Sequence, residues 1–385
     1  MAEELADQPI QVAEWTFTEE QQQLLDAVRR FCAEHFGEAN ARRTMESDPP
    51  FDRKVWTRLG TELGVLGLSV PEADGGVGGS LVDQAVAVEQ FGAALATGPL
   101  FGTVYLAVPA LVAASSGEAR DALLADLVEG TRTAAFASVG GVSADGTALS
   151  GDLGPVVDAG AADVLLVAAT SADGVGLYAV DTGAEGVDRT PLVTLDLTRP
   201  QAAVTLTAAP ATLIAGPEEA PRVIEHARHV GSALLAVEQV GAAAHLLDVA
   251  VEYAKSRLQF GRPIGSFQAV KHRLADMLVD AEHARSTAYH AVWALADGSD
   301  DAELSTAIAQ ATCSAALSRI AADTIQTLGG IGFTWEHQAH LYFKRAVTDA
   351  ALLGSAEQHR DRVAELVLDT ASADRAPRVA AGAPG

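Results

Sequence analysis

The stretch YAKSRLQFGRPIGSFQAVKHRLADM, Tyr253–Met277, contains a basic-aromatic turn with a patterned segment on each side. Upstream, Val223, Ala227, Val230, Leu234, Val237, Gly241, Ala244, Leu247, Val251 and Ala254 recur at three-four spacing. That periodicity predicts a helix of up to about 38 residues, longer than isolated globular helices usually run, so it implies long partner helices. Downstream, three further helices fit 266–297, 301–328 and 335–369, so the turn joins two arms of a four-helix bundle. GPEEAP precedes the first arm, with Pro217 suited to a first turn and Glu218 and Glu219 placed where the helix dipole favours acids.

The N-terminal part is also helical. Thr18 and Gln21 carry a reciprocal capping pattern for a helix from about Glu19 to His35, with Leu24, Val28, Phe31 and His35 on one face. A second helix is expected near Arg53 to Leu63. The segment 66–80 is a loop punctuated by Pro71 and glycines, and helices are expected at about 81–96, 103–115 and 118–129. From residue 131 the texture changes. Thr133–Val139, Val164–Thr170, Gly176–Val180 and Ala203–Thr207 are short apolar runs between turn residues and read as strands. The plan is a helical domain over 17–130, a reduced β domain over 131–212 and a helical bundle over 216–370. Residues 1–15 and the Ala/Pro/Gly-rich tail 371–385 are expected to lie outside the folded parts.

Composition bounds the function. The chain has 385 residues, is 49% hydrophobic and only 5% aromatic, so its core must be built largely from Ala, Leu and Val. Lys plus Arg total 26 against 51 Asp plus Glu, a net charge of -25. That balance repels nucleic-acid phosphates and anionic lipid surfaces, while leaving room for a local positive pocket. Cys32 and Cys313 lie in helical patterns without metal-ligand spacing, so they are expected as buried free thiols, and no metal site is expected. The N-terminus lacks the pattern of a secretory signal and no uncharged apolar stretch reaches bilayer-spanning length. Cytoplasmic location is the expectation.

Two long motifs, YAKSRLQFGRPIGSFQAVKHRLADM at 253–277 and QTLGGIGFTWEHQAHLYFKRA at 326–346, resemble the acyl-CoA dehydrogenase family, with VPEADGGVG at 70–78 as a weaker match. The resemblance covers about residues 17–369 and implies the family fold: an N-terminal α-helical domain, a small middle β domain and a C-terminal four-helix bundle. It implies FAD, α,β-dehydrogenation of an acyl-CoA thioester, electron transfer to an electron-transfer flavoprotein, and a cofactor site shared between subunits. The residues matching the grip on a neighbour's FAD are Arg257, Gln259, Phe260, Gly261, Gln268, Gln326, Gly329 and Gly330. Their chemistry suits that grip, since a guanidinium pairs with phosphate, a phenyl ring covers a planar cofactor, and glycines admit close backbone approach. Taken singly, Arg257 is compatible with a surface ion pair and Phe260 with a core position. Lys271 and His272 read as surface residues, Glu336 and His337 as helix-start decoration, and Trp335 and Tyr342 as packing in a bundle seam.

The family's carboxylate base is missing from both usual places. Counting from Arg345 puts one glutamate position on Gly354, and counting 26 residues back from Arg257 puts the other on Gly231. Glu238, Asp349 and Glu225 are the candidates for a displaced base. The β domain lacks the family's flavin-contacting motifs, and no tryptophan occurs between Trp56 and Trp293. The resemblance therefore extends to the paired, unequal subunits of actinobacterial steroid side-chain catabolism. It implies an α2β2 complex with a second acyl-CoA dehydrogenase-like subunit, in which this chain completes the partner's FAD site and shapes a cleft for a bulky acyl-CoA. The alternatives are a self-sufficient homo-oligomer using Glu238 or Asp349 as a displaced base, and a non-catalytic structural or acyl-CoA-binding protein.

Overall fold

The computed structural model describes residues 17–138, 141–299 and 301–369. The N-terminal helices are α1 (Glu19–His35), α2 (Glu38–Thr44), α3 (Arg53–Thr61), α4 (Leu81–Ala93), α5 (Val108–Ala113) and α6 (Glu118–Glu129). The expected capping box opens α1: the Thr18 hydroxyl accepts from the Gln21 backbone N–H, and the Gln21 side chain accepts from that of Thr18. Leu25, Val28, Phe31 and Cys32 form its buried face, with Leu24 and His35 only half-buried.

The expected helix at 103–115 is two elements. A π-helix over Leu100–Ala107 runs into α5. Pro109 has no N–H to give to the Tyr105 carbonyl, so regular α-helical pairing is interrupted there. The helix expected at 81–96 stops at Ala93, because Leu95 takes a left-handed φ of 47°.

Among the described residues the middle domain holds eight strands rather than four: β1 (Ala134–Ala137), β2 (Ser143–Asp145), β3 (Ala148–Val157), β4 (Val164–Ser171), β5 (Gly174–Asp181), β6 (Val187–Pro191), β7 (Gln201–Pro210) and β8 (Thr212–Ala215). They form one sheet in the order β6-β7-β3-β2-β4-β5-β8, with β1 parallel to β4. Glycine, aspartate and Pro155 disguise β3 in the sequence, and its pairing with β7 shifts register at Leu149/Gly151 and Leu153/Pro155. The sheet continues to Ala215, beyond the expected limit at 212. Strand alternation lets β4 serve two cores. Val164 and Leu166 join the core shared with the helices, and Leu165 and Val167 join a core internal to the sheet domain.

The bundle comprises α7 (Ala220–Ser256), α8 (Gln268–Ala296), α9 (Ala302–Leu328), α10 (Ala339–Asp349) and α11 (Ala356–Ala364). A short hairpin, β9 (Leu258–Gln259) with β10 (Arg262–Pro263), joins α7 to α8. The fourth arm, expected as one helix over 335–369, is broken. Leu353 and Gly354 have φ of 57° and 114°, and Ser355 then caps α11 through a box with Gln358. Gln239 donates to Ser314, and Gln310 donates to the Ser232 carbonyl, forming a polar seam between α7 and α9.

By composition α7 is long and apolar enough to cross a bilayer, contrary to the sequence expectation, but 72% of its most apolar window is buried inside the fold. Both cysteines are buried free thiols. The tail 371–385 and residues 1–15 lie outside the described residues.

Close approach of α4 and α7 depends on two glycines. A Cβ at Gly241 would lie 1.9 Å from the Glu89 carbonyl oxygen, and one at Gly92 would lie 2.0 Å from that of Glu238. Neither neighbour is a side chain that can rotate away. Gly241→Ala is expected to destabilise the chain by about 3 kcal/mol, at the upper end of overpacking costs, read from the urea midpoint. A cost below about 0.5 kcal/mol, typical of surface substitutions, would contradict this packing.

Candidate functional site

The two glycines matched by counting to the family's base positions are enclosed. Gly231 lies on α7 against the π-helix, and a Cβ there would meet Leu106 Cδ2 at 2.5 Å and the Tyr105 carbonyl oxygen at 3.1 Å. Gly354 sits in the break before α11, and a Cβ there would lie 2.9 Å from His359 Nε2. A glutamate at 231 would require displacement of the π-helix. One at 354 would need an unfavourable left-handed backbone and a shifted imidazole.

Gly354 lines a cavity of about 660 Å³ between α7, α9 and the α10–α11 segment. Glu225, Arg228, His229 and Ser232 line it from α7, Glu303 and Thr306 from α9, and Gln358, His359 and Arg362 from α11. His359 Nε2 is 3.1 Å from the Leu353 carbonyl oxygen. That oxygen can only accept, so Nε2 carries the proton and Nδ1 holds the lone pair. Burial pulls the His359 pKa down, and the Arg228 charge pulls it further, while the bond to Leu353 opposes both. The imidazole is therefore neutral at pH 7.

Glu238 and Asp349 do not line this cavity. They belong to a buried ion cluster where the three parts of the fold meet. Arg345 of α10 reaches Asp196 Oδ2 at 2.7 Å, Glu238 Oε1 at 2.6 Å and the Thr198 hydroxyl at 2.6 Å. Arg199, before β7, reaches Glu238 Oε1 at 2.5 Å and lies over the Phe101 ring of the π-helix. Asp158 accepts from the Gly102 N–H at 2.9 Å. Glu238, Asp196 and Asp349 are each only 1–2% exposed.

Burial tends to raise the Glu238 pKa, but Arg199 and Arg345 overcome it and hold the carboxyl down at about 2. Asp349 differs. Its Oδ1 is 3.2 Å from Arg199 Nη1 but lacks hydrogen-bond alignment, so among the described residues neither of its oxygens has a hydrogen-bond partner. Burial outweighs the attraction of Arg199, Glu238 adds repulsion, and the carboxyl is pushed up to about 7. A base must reach its substrate proton within hydrogen-bond distance. Both candidate displaced bases lack an approach from the cavity. Glu225 does line it, on an exposed turn of α7.

The residues matched to the cofactor grip sit at the other end of the bundle. Arg257, Gln259, Phe260 and Gly261 are exposed on the α7–α8 hairpin, and Gln268 is exposed in the first turn of α8. Phe260 is 92% exposed and takes a left-handed φ of 53°. Holding a phenylalanine outward in this conformation suits an external planar group and gives no benefit to the chain's own core. Gln326, Gly329 and Gly330 are also exposed, and a Cβ at either glycine would meet nothing within 4 Å. This open surface can accept a dinucleotide from outside the chain. Trp335 is 59% exposed rather than packed in a seam; it stacks on His340, with Arg42 and Lys344 over its ring. Tyr342 is buried as expected, its hydroxyl donating to the Ala93 carbonyl. His337 Nδ1 accepts from the Ala339 N–H at the start of α10. Lys271 and His272 are exposed.

Sequence reading missed Arg199, Arg345, Asp196 and His359. A signal existed for Arg345 and Asp349, which are spaced one helical turn apart among apolar neighbours.

Breaking the cluster should cost stability. Arg345→Met takes the arginine from buried Asp196 and leaves Glu238 with Arg199 alone, and should destabilise by about 3–5 kcal/mol, measured by denaturant titration. Asp349 is tested by pH. Folded, its carboxyl keeps a proton up to about pH 7, against an ordinary value of 3.8. The native state thus binds more protons across that window, and the Asp349 contribution to stability falls as pH rises through it. The stability of wild type relative to Asp349→Asn should decline between about pH 5 and 7.5. A pH-independent difference would contradict the raised pKa.

Comparison with known proteins agrees with this architecture. The family model for the acyl-CoA dehydrogenase N-terminal domain matches residues 18–131, and that for the acyl-CoA dehydrogenase C-terminal domain matches 222–368. The chain is 40% identical over 337 residues to acyl-CoA dehydrogenase IpdE2 of Mycobacterium tuberculosis, covering 88% of this chain and 94% of that protein. Among solved structures, a variant of the Tcur3481-Tcur3483 steroid ACAD matches with TM-score 0.83 and 30% identity, over 92% of this chain and 99% of that one. The ChsE4-ChsE5 complex from Mycobacterium tuberculosis matches with TM-score 0.83 and 29% identity, over 91% and 98%.

Proposed function

The chain belongs to the acyl-CoA dehydrogenase family, with relatives of the steroid type, and from that premise we propose that it is the non-basic subunit of a heteromeric enzyme. It lends Arg257, Gln259, Phe260, Gly261, Gln268, Gln326, Gly329 and Gly330 to the FAD of a second, base-bearing family subunit, in an α2β2 assembly. Electrons pass from that site to an electron-transfer flavoprotein, and the acyl-CoA is a bulky one such as a steroid side-chain thioester. The carrying observation is the opposition between two ends of the bundle. Phe260 and the Gly329–Gly330 surface face outward and open, while both family base positions are glycines enclosed by Leu106 and His359. FAD, when bound, supplies the hydride acceptor. This chain's residues supply the guanidinium of Arg257 for phosphate oxygens, the Phe260 ring for a planar face and the open glycine backbone for close approach.

The geometry disfavours the self-sufficient alternative, because Glu238 and Asp349 are sealed in the ion cluster. The alternative of a protein with no redox role leaves the exposed face of Phe260, whose ring meets Phe267 edge-to-face, without a partner.

The test is the flavin-to-chain ratio, by absorbance. Purified alone, the chain should retain little flavin. Co-purified with a base-bearing family subunit, it should give about one flavin per two chains, as a paired-subunit assembly requires. Arg257→Gln in this chain alone should weaken flavin retention by the complex about tenfold or more, the loss of a charge-assisted phosphate contact. Near-stoichiometric flavin in the isolated chain would overturn the proposal.

A further inference from the structure

The cavity beside Gly354 has lining chemistry that neither the cofactor grip nor the missing base explains. Glu225, Arg228, His229 and Ser232 follow one face of α7 over about two turns. Exposure falls along that path: Glu225 and Arg228 are exposed, His229 is half-buried and Ser232 is 5% exposed. The mouth therefore lies at Glu225 and the floor at Ser232, Thr306 and Ala307.

Two guanidiniums face this space. Arg362 is already neutralised, by Glu303 at 2.6 Å and Glu365 at 2.9 Å. Arg228 has no ion pair or hydrogen bond among the described residues, although Glu225 lies one turn toward the mouth. A cation without a carboxylate partner at the rim of this cavity is a local exception in a chain of net charge -25. Beside it stands the His359 ring, its Nε2–H engaged with Leu353 and its Nδ1 left as an acceptor. An unsubstituted hydrocarbon chain in this cavity would strip water from these groups and return no hydrogen bonds, which is costly.

Resting on the reading of this chain as an acyl-CoA dehydrogenase subunit, we propose that the cavity binds an acyl-CoA whose acyl group carries a carboxylate, held by Arg228 next to His359. One free guanidinium matches a monoanionic carboxylate in paired geometry. Glu225 one turn away opposes a phosphate dianion more than a single charge. Arg228 is thus a specificity residue that selects acid-bearing acyl groups over unsubstituted ones of equal length.

The experiment is calorimetric titration of the purified full chain with adipyl-CoA, hexanoyl-CoA and free CoA. Adipyl-CoA should bind about tenfold more tightly than hexanoyl-CoA, the size of one charge-assisted contact. Arg228→Gln should erase that preference and leave hexanoyl-CoA binding unchanged, and Arg228→Lys should keep part of it. Arg228 is exposed, so matched thermal midpoints are expected for both variants. Equal affinity for the two acyl thioesters in the wild-type chain would overturn the proposal. So would failure to bind any of the three. An equal loss for all three ligands in Arg228→Gln would assign Arg228 to the CoA phosphates and also overturn it. None of these outcomes depends on flavin content, so the proposal can fail while the shared-cofactor reading stands, and the reverse.

Discussion

Arg345 holds the architecture together. Its guanidinium reaches Asp196 and Thr198 from the sheet domain and Glu238 from α7, while Arg199 extends the same network to Asp349 and to the Phe101 ring. One cluster therefore ties the N-terminal π-helix, the β6–β7 connection and two bundle helices at a single point. Burying so many charges is expensive, and an apolar replacement of similar volume often stabilises a protein as well or better. What the ionic solution adds is direction, since each arginine meets its carboxylates in one arrangement of the three parts.

That constraint determines what the cleft can do. Glu238 is held deprotonated by two arginines and does not line the cavity, and Asp349 is sealed behind Arg199. These two carboxylates are consumed in joining domains. Gly231 and Gly354, matched by counting to the family's glutamate positions, are closed sterically, one by the π-helix and one by an imidazole. A cavity remains, lined by polar groups suited to recognition. The outward-facing hairpin and glycine surface at the far end of the bundle are untouched by these changes. An open, outward-facing surface can thus persist where the positions matched to the family glutamate are glycine.

Local and periodic features are legible in the sequence. The Thr18–Gln21 box depends on residues three apart, and α7 follows from apolar spacing over its whole length. The strands are half visible: β4 and β5 are apolar runs, whereas β3 is interrupted by Gly151, Gly154 and Pro155, and its bulges arise only when β7 pairs with it. The π-helix is not legible, because it arises from Pro109 acting together with the packing of α7. The break at Leu353–Gly354 is marked by a glycine and a serine, but the apolar spacing on either side masks it. The ion cluster is least legible, since Arg345 and Asp196 are 149 residues apart and nothing local pairs them. The outward position of Trp335 is hidden for the same reason: its partner Arg42 comes from α2.

The most direct measurement is exchange of the acyl α-proton in deuterated water, followed by mass spectrometry of an acyl-CoA incubated with this chain alone. A base within reach exchanges that proton whether or not hydride transfer follows. With glycine at both matched base positions, Glu238 and Asp349 sealed, and Glu225 exposed at the cavity mouth, exchange should not exceed the rate in buffer, and adding the base-bearing partner should start it. Exchange by the isolated chain that disappears in Glu238→Gln, Asp349→Asn, Glu225→Gln or His359→Gln would contradict the proposal that this chain is the subunit without a base.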